Sequence, residues 1–402
     1  MSIQNVKKTK QDIIDELENK KENYIDISHK IHEHPEIGNE EIYASELLIE
    51  TLKKEGFQIE KALAGHPTSF IARKKSSKNS GPTIGFLAEY DALPNLGHGC
   101  GHNIIGTAST AAAITLSKYI DEIGGEVLVF GMPAEEGGEN GSAKATFVKQ
   151  GLFKGVDACL MVHPGGENSV TPNSLANNPI QFEFIGKASH AASAPENGIN
   201  ALDGVIQLFN GINALRQHVT DDVRIHGIIT DGGSAPNIVP DYAKAKFFIR
   251  AFTKENCDLV TEKVKNIAEG AALSTGAKVN ISFFQNEVDN FIINEKFDEV
   301  FVENLKLLGI NIDNIPKKGI GSTDAGNVSQ VVPTIQPIIK IGDKSLCAHT
   351  PEFREAAKSK GGDEALITSS KALALTGLTL LTDEHKLLEI KEEFNRCRNR
   401  NL

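Results

Sequence analysis

Cysteine is scarce in this chain, and the five present, Cys100, Cys159, Cys257, Cys347 and Cys397, are odd in number and scattered. That pattern argues against a disulfide scaffold and fits a reducing cytoplasm. An excess of basic residues is also missing. Lysine and arginine total 42 against 53 aspartates and glutamates, a formal charge of −11, so the clustered cations that a nucleic-acid surface needs are absent. The basic stretch from Arg396 to Arg400 is a local exception and reads as a solvated end. Long apolar runs are lacking too: stretches such as 104–116 carry Gly, Ser and Thr and are too short to span a bilayer, so no membrane role is expected. The segment from Met1 to Lys21 is charged and has no apolar core of a secretory signal. No internal repeat or low-complexity segment is evident.

What remains is the composition of an ordinary globular protein, 40% hydrophobic and 24% charged, in a chain of 402 residues. Single cores stop growing near roughly 250–300 residues, so two domains are expected. Helical spacing at Ile14, Leu17, Ile25 and Ile31 opens the chain. Strands are then predicted at 82–88, 126–132 and 158–162, with a small-residue helix over 104–120 between the first two. Strands separated by helices predict an α/β sheet with much parallel pairing, and ligands of such sheets sit outside the carboxyl ends of strands. After residue 178 the order changes to strand 180–186, helix 201–216, strands 223–230 and 243–253, helix 256–274 and strand 278–284. This βαββαβ order predicts a self-contained α+β unit over 178–290, inserted into a domain made of 1–177 and 291–402. Patterns of the first kind resume near Phe297, notably at 333–341 and in a helix over 362–381.

The residues suited to chemistry follow the predicted strands. Cys100 and His102 flank Gly101 in a loop with further glycines at 97 and 99, so a thiolate and an imidazole can face one side of a turn. Alone, the pair is more often a buried thiol beside a surface histidine than a metal site. Glu135 and Glu136 follow a strand and Pro133, and on extended backbone they point to opposite sides, one able to bind a metal and the other to act as a general base. A Glu-Glu pair is otherwise a solvated turn. His163 ends a strand, and His349 lies in Cys347-Ala348-His349-Thr350-Pro351; each is either a ligand or a histidine hydrogen-bonded to backbone. The case rests on their convergence.

At His32–Glu41, Glu89–Asn103, Pro133–Gly137, His163-Pro164, Gly186–Leu202, Gly232–Arg250 and Gly321–Phe353 the chain resembles the M20 family of metallopeptidases and amidohydrolases. The resemblance implies a zinc-aminopeptidase-like (phosphorylase/hydrolase-like) α/β catalytic domain with an inserted lid and dimerisation domain. It also implies a homodimer formed through that lid, and hydrolysis of an amide or peptide bond in a small dipeptide or N-acyl amino acid. Two divalent ions are implied: Zn²⁺ or Mn²⁺, with Co²⁺ and Ni²⁺ compatible. Cys100 would bridge them, Glu136 and His349 completing one site, His102 and His163 the other. Glu135 would be the general base acting on the bridging water, and Asp91 would orient a ligating imidazole. His190 would reach the partner subunit's site and stabilise an oxyanion, while Asn237 and Arg250 would hold substrate, Arg250 by its planar fork. Where auxin-conjugate enzymes of the family read Arg-Ala-Asp-Met-Asp and Cys-Gly-His-Asp, this chain has Ala88-Glu89-Tyr90-Asp91 and Cys100-Gly101-His102-Asn103, closer to the dipeptidase and aminobenzoyl-glutamate hydrolase subgroup.

Two competing readings have sequence-level tests. A non-catalytic relative acting through metal, peptide or dimer contacts should have lost at least one member of the site, and all are present. A cysteine hydrolase built on Cys100 and His102 leaves the other ligands unexplained and sets its pair too close along the chain for proton transfer.

Overall fold

The computed structural model describes residues 3–78, 80–313 and 321–400. They divide into two compact units: the first runs to Asn173 and resumes at Phe291, and the second comprises Ser174–Asn290 with Gly321–Thr323. The sequence placed the insertion at 178–290.

The first unit opens with helices α1 (Ile3–Asn19), α2 (Lys21–Glu33) and α3 (Ile42–Lys54), then strands β1 (Gln58–Lys61), β2 (Phe70–Lys75) and β3 (Thr83–Ala88). Helices α4 (His102–Ser117) and α5 (Ile120–Ile123), strand β4 (Glu126–Gly131), helix α6 (Ala143–Lys149) and strands β5 (Ala158–Leu160) and β6 (His163–Gly165) follow. The second unit contains β7 (Ala176–Ile185), α7 (Ala201–Leu215), β8 (Arg224–Asp231), β9 (Tyr242–Ala251), α8 (Lys254–Thr275) and β10 (Lys278–Phe283). The chain then returns with α9 (Glu295–Leu307), α10 (Ala325–Ser329), β11 (Thr334–Ile335), β12 (Ile338–Lys340), α11 (Pro351–Ala356), α12 (Lys360–Thr382) and α13 (Glu384–Arg400).

Six strands form the main sheet in the order β1-β2-β4-β3-β5-β11. Pairing is parallel among β4, β3, β5 and β11 and antiparallel at β1, β2 and β2, β4. Alternation along the strands separates two apolar layers. Ile84, Phe86, Ala88, Val127 and Val129 pack with α4 and α12, whereas Leu87, Leu128 and Phe130 pack with Phe147 of α6 and Val328 of α10. Helices on both faces explain why these strands read as continuous apolar runs. Removing one such side chain, for instance Phe86→Ala, costs about 3–5 kcal/mol. Helix α12 is long and apolar enough to cross a bilayer, but 78% of its most apolar window is buried inside the fold, as a core helix requires.

In the second unit the sheet order is β10-β7-β9-β8, antiparallel throughout. Ala243, Ala245, Phe247, Ile249 and Ala251 of β9 face α7 and α8, and the residues between them do not. Asn200 caps α7 through Leu202 N at 3.0 Å, and Thr253 caps α8 through Asn256 N at 3.2 Å. The βαββαβ order is as the sequence predicts. Strand β7 starts earlier than its apolar run because Asn178, polar and next to Pro179, is buried with its amide donating to Asp258 and Thr261 of α8 at 2.8 and 2.9 Å.

Two expectations change. Strands β1 and β2 lie before the first predicted strand, and the run 333–341 is not one strand. It crosses from β11 in the main sheet to β12, which pairs in parallel with β6.

Candidate active site

The site is built at the carboxyl ends of the parallel strands. Gly101, with φ +75°, starts α4, and a Cβ there would sit 2.5 Å from Pro164 Cγ. Only glycine lets the loop turn this tightly while Cys100 and His102 flank it. His102, 1% exposed, donates from Nδ1 to Asp91 Oδ1 at 2.8 Å. Because a carboxylate only accepts, a proton lies on Nδ1, and Nε2 is turned toward Glu89, Glu135 and Glu136. The other Asp91 oxygen accepts from Glu136 N at 2.9 Å. His163 is fixed likewise: Nδ1 donates to Pro164 O at 2.8 Å, leaving Nε2 3.6 Å from Cys100 Sγ.

After β4 the chain turns through Ala134, whose φ of +58° is left-handed. Such backbone costs roughly 1–2 kcal/mol in a residue with a Cβ and persists only where neighbours hold it. Here Ala134 N donates to buried Glu41 at 2.9 Å, and Ala134 O accepts from Ser142 N at 2.6 Å. The turn sends Glu136 toward His349, with Oε2 3.3 Å from His349 Nε2, and leaves Glu135 Oε2 3.8 Å from His102 Nε2. His349 is itself left-handed, φ +65°, with its N donating to Gly99 O at 2.9 Å.

Three groups of donor atoms therefore lie within 4.8 Å of one another: Cys100, His102 and His163; Cys100, Glu136 and His349; and His102, Glu135 and Glu136. The first two share Cys100. Buried His102 Nε2 and Glu136 Oε1 have no hydrogen-bond partner, a cost of about 1–3 kcal/mol each that a cation at those atoms would remove. A thiol, imidazoles and a carboxylate suit a borderline divalent ion. The residues present thus fit the implied metals.

The titratable groups of the site are strongly perturbed by burial and by one another. Burial opposes charge on His102, but Asp91, Cys100 and Glu89 outweigh it and raise the imidazole well above its ordinary range. Glu135 is pushed well above the carboxylate range by burial and then by Glu89, Glu136 and Asp324, although its side chain keeps 14% exposure and so stays reachable. Burial also opposes ionisation of Glu136, but the His349 hydrogen bond and His102 hold it low. Burial, then Glu136, pushes the Cys100 thiol far up. A buried thiol held protonated is a poor nucleophile, which counts against the cysteine-hydrolase reading.

The profile of a peptidase dimerisation domain matches residues 180–275. Over 341 residues the chain is 37% identical to the Xaa-Arg dipeptidase of Mus musculus, covering 82% of this chain and 78% of that protein. The chain belongs to the M20 family. It is 29% identical to a p-aminobenzoyl-glutamate hydrolase chain of Escherichia coli, over 95% of this chain and 94% of that protein. The crystal structure of a dinuclear metal binding M20 peptidase from Bacillus subtilis superposes with a TM-score of 0.65 at 22% identity, covering 90% of this chain and 99% of that one. As an M20 member the chain is a hydrolase with the two-domain fold of that family.

The three remaining M20 candidates lie in the second unit. His190 is exposed, its Nδ1 accepting from Ala192 N and Ser193 N at 3.2 and 3.1 Å. Asn237 is close to it, its carbonyl accepting from Ala191 N at 3.0 Å. Arg250, on β9, is half-buried over the Phe248 ring and donates to Ser322 Oγ at 2.9 Å, while its Nε has no hydrogen-bond partner.

Sequence reasoning gave Glu41 no role, yet it is wholly buried, accepting from Thr68 Oγ1 at 2.7 Å as well as from Ala134 N. The available clue was its place in the His32–Glu41 motif.

Proposed function

We propose that this chain hydrolyses the amide bond of a dipeptide or N-acyl amino acid at a centre of two divalent cations. Cys100, His102 and His163 would hold one and Cys100, Glu136 and His349 the other. The observation that carries this reading is the pair of donor groups sharing Cys100, with Glu135 beside both.

When bound, the two cations would polarise the scissile carbonyl and ease deprotonation of water. Glu135 takes the proton from the attacking water and returns it to the leaving nitrogen. Burial among other carboxylates raises its proton affinity, which favours the protonated form that delivers a proton to the nitrogen. Asp91 keeps His102 in one tautomer and also holds Glu136 N, so it orients residues of both donor groups. We assign oxyanion stabilisation on a partner subunit's substrate to His190, and substrate contacts to Asn237 and Arg250. The partly buried guanidinium of Arg250, with an unsatisfied Nε, is suited to a substrate carboxylate.

Zn²⁺ or Mn²⁺ are the favoured ions, with Co²⁺ and Ni²⁺ compatible. A homodimer through the second unit is supported by the match to a dimerisation domain and by the free edge strand β8, where Ile228 and Ile229 are 64% and 44% exposed. Free cysteines throughout the described residues support a cytoplasmic setting. The names of the mouse and E. coli relatives make Xaa-Arg dipeptides and p-aminobenzoyl-glutamate the first substrates to try.

Glu135→Gln is expected to lower kcat by about two to four orders of magnitude. Elemental analysis should still find wild-type metal content, because Glu135 is the base in this scheme and not a ligand. Turnover near wild type across the substrate and metal panel would sink the mechanism.

A further inference from the structure

Beneath the donor groups lies a charged network that the reaction scheme leaves unused. Glu89 follows β3 and is 1% exposed. Its Oε1 is ion-paired with Lys144 Nζ at 2.6 Å, and the same Nζ is 2.6 Å from Asp324 Oδ1. Lys144 and Asp324 are themselves buried. Asp324 also accepts from Lys144 N at 3.3 Å, so it fixes the start of α6 as well as the lysine head. Each link restrains the next, from Asp324 through Lys144 to one oxygen of Glu89.

The other oxygen points elsewhere. Neither Glu89 oxygen has a hydrogen-bond partner, but Oε1 has the Lys144 ion pair, whereas Oε2 faces only His102 Nε2 at 3.5 Å, an atom that also lacks a hydrogen bond. Lys144 is one cation against two carboxylates, and the group that stands against the second Glu89 oxygen is His102. Buried charge of that kind is retained where an opposite charge sits beside it. A purely structural carboxylate would have both oxygens satisfied.

We propose that Glu89 Oε2 is a further oxygen donor to the cation held by His102 and His163, with Lys144 and Asp324 as positioning residues that decide which oxygen is offered. The inference rests on the two-cation reading above and deepens it. It gives the His102 position a carboxylate that Cys100, His102 and His163 alone do not supply. Oxygen donors favour Mn²⁺ more than thiolate and imidazole do, so Glu89 biases this position toward the harder ion.

The test is calorimetric titration of full-length protein, stripped of metal, with Mn²⁺ and separately with Zn²⁺, alongside elemental analysis. Wild type should take up two equivalents. Glu89→Gln should weaken one of them by about 10- to 100-fold and leave the other within about twofold, with the larger loss for Mn²⁺. Lys144→Met should weaken the same equivalent. Two equivalents at wild-type affinity in a natively folded Glu89→Gln protein would overturn the inference while leaving the two-cation reading intact. Failure of the wild type to bind either ion would instead overturn that reading, and the inference with it. If Glu89→Gln does not fold by circular dichroism, Glu89→Asp decides: it keeps the charge but withdraws the oxygen by one methylene. A tenfold weakening of one equivalent supports the proposal, and unchanged affinity rejects it.

Discussion

The two donor groups that share Cys100 are held in opposite ways. His102 is 1% exposed at the start of a wholly buried helix, and His163 is locked by its own backbone. Their ring nitrogens are aimed before any cation arrives. His349 is 56% exposed on a left-handed residue ahead of α11, and its side chain is restrained by Glu136. One position is therefore preorganised, and the other is completed from the solvent side. On the two-cation reading, the His102 position should fill first and the His349 position should exchange first.

The largest expected effect removes the comparison altogether. Cys100→Ala takes the donor common to both groups, so both cations and all measurable turnover should be lost together. Full occupancy by elemental analysis would refute the shared role. A smaller pair of changes should separate the two positions. Asp91→Asn disturbs the orientation of His102 and should weaken the preorganised equivalent about 10- to 100-fold, whereas His349→Ala should strip the outer one and spare the inner. Calorimetry that finds the same equivalent weakened in both variants would contradict the comparison.

The smallest effect on metal binding belongs to a residue outside both groups. His66 is buried between Asn39 Oδ1 and Thr146 Oγ1 at 2.7 and 2.6 Å, and burial lowers its pKa to about 4. The folded chain thus resists a proton that the unfolded chain accepts near pH 6.5. Stability from this group is fully present above that pH and is lost as pH falls toward 4, by about 2–3 kcal/mol. Urea midpoints measured over that window should slope less in His66→Gln. Equal slopes would remove His66 as the cause, and metal affinities at neutral pH should be unchanged in either position.

The elements that the sequence made legible were those whose pattern is local. Continuous apolar runs located β3, β4 and β5, and alternation located the βαββαβ unit. Strand β1 escaped because three of its four residues, Gln58, Glu60 and Lys61, are exposed, so nothing in its pattern marks a strand without β2 beside it. The run from Pro333 to Ile341 looked uniform because apolarity does not report which sheet a segment joins. The site divides in the same way. Cys100, His102, Glu135, Glu136 and His163 stood at strand ends or glycine turns. Glu41 and Lys144 drew no reading of their own, since the partners that bury them, Ala134 and Asp324, are 93 and 180 residues away along the chain. A buried charge is legible only with its partner, and the partner is fixed by the fold.

The packing of α4 on α12 has a consequence for synthesis. Every residue of α4 is buried, and the contact is close enough that a Cβ on Gly377 would lie 2.6 Å from Leu116 Cδ2. Yet α12 begins only at Lys360, after the whole inserted unit has been translated. The inserted unit carries its own apolar core and can collapse while the ribosome is still working. The active-site helix can pack early on β3, β4 and the N-terminal helices, but the face that α12 covers has to wait until the rest of the chain is made.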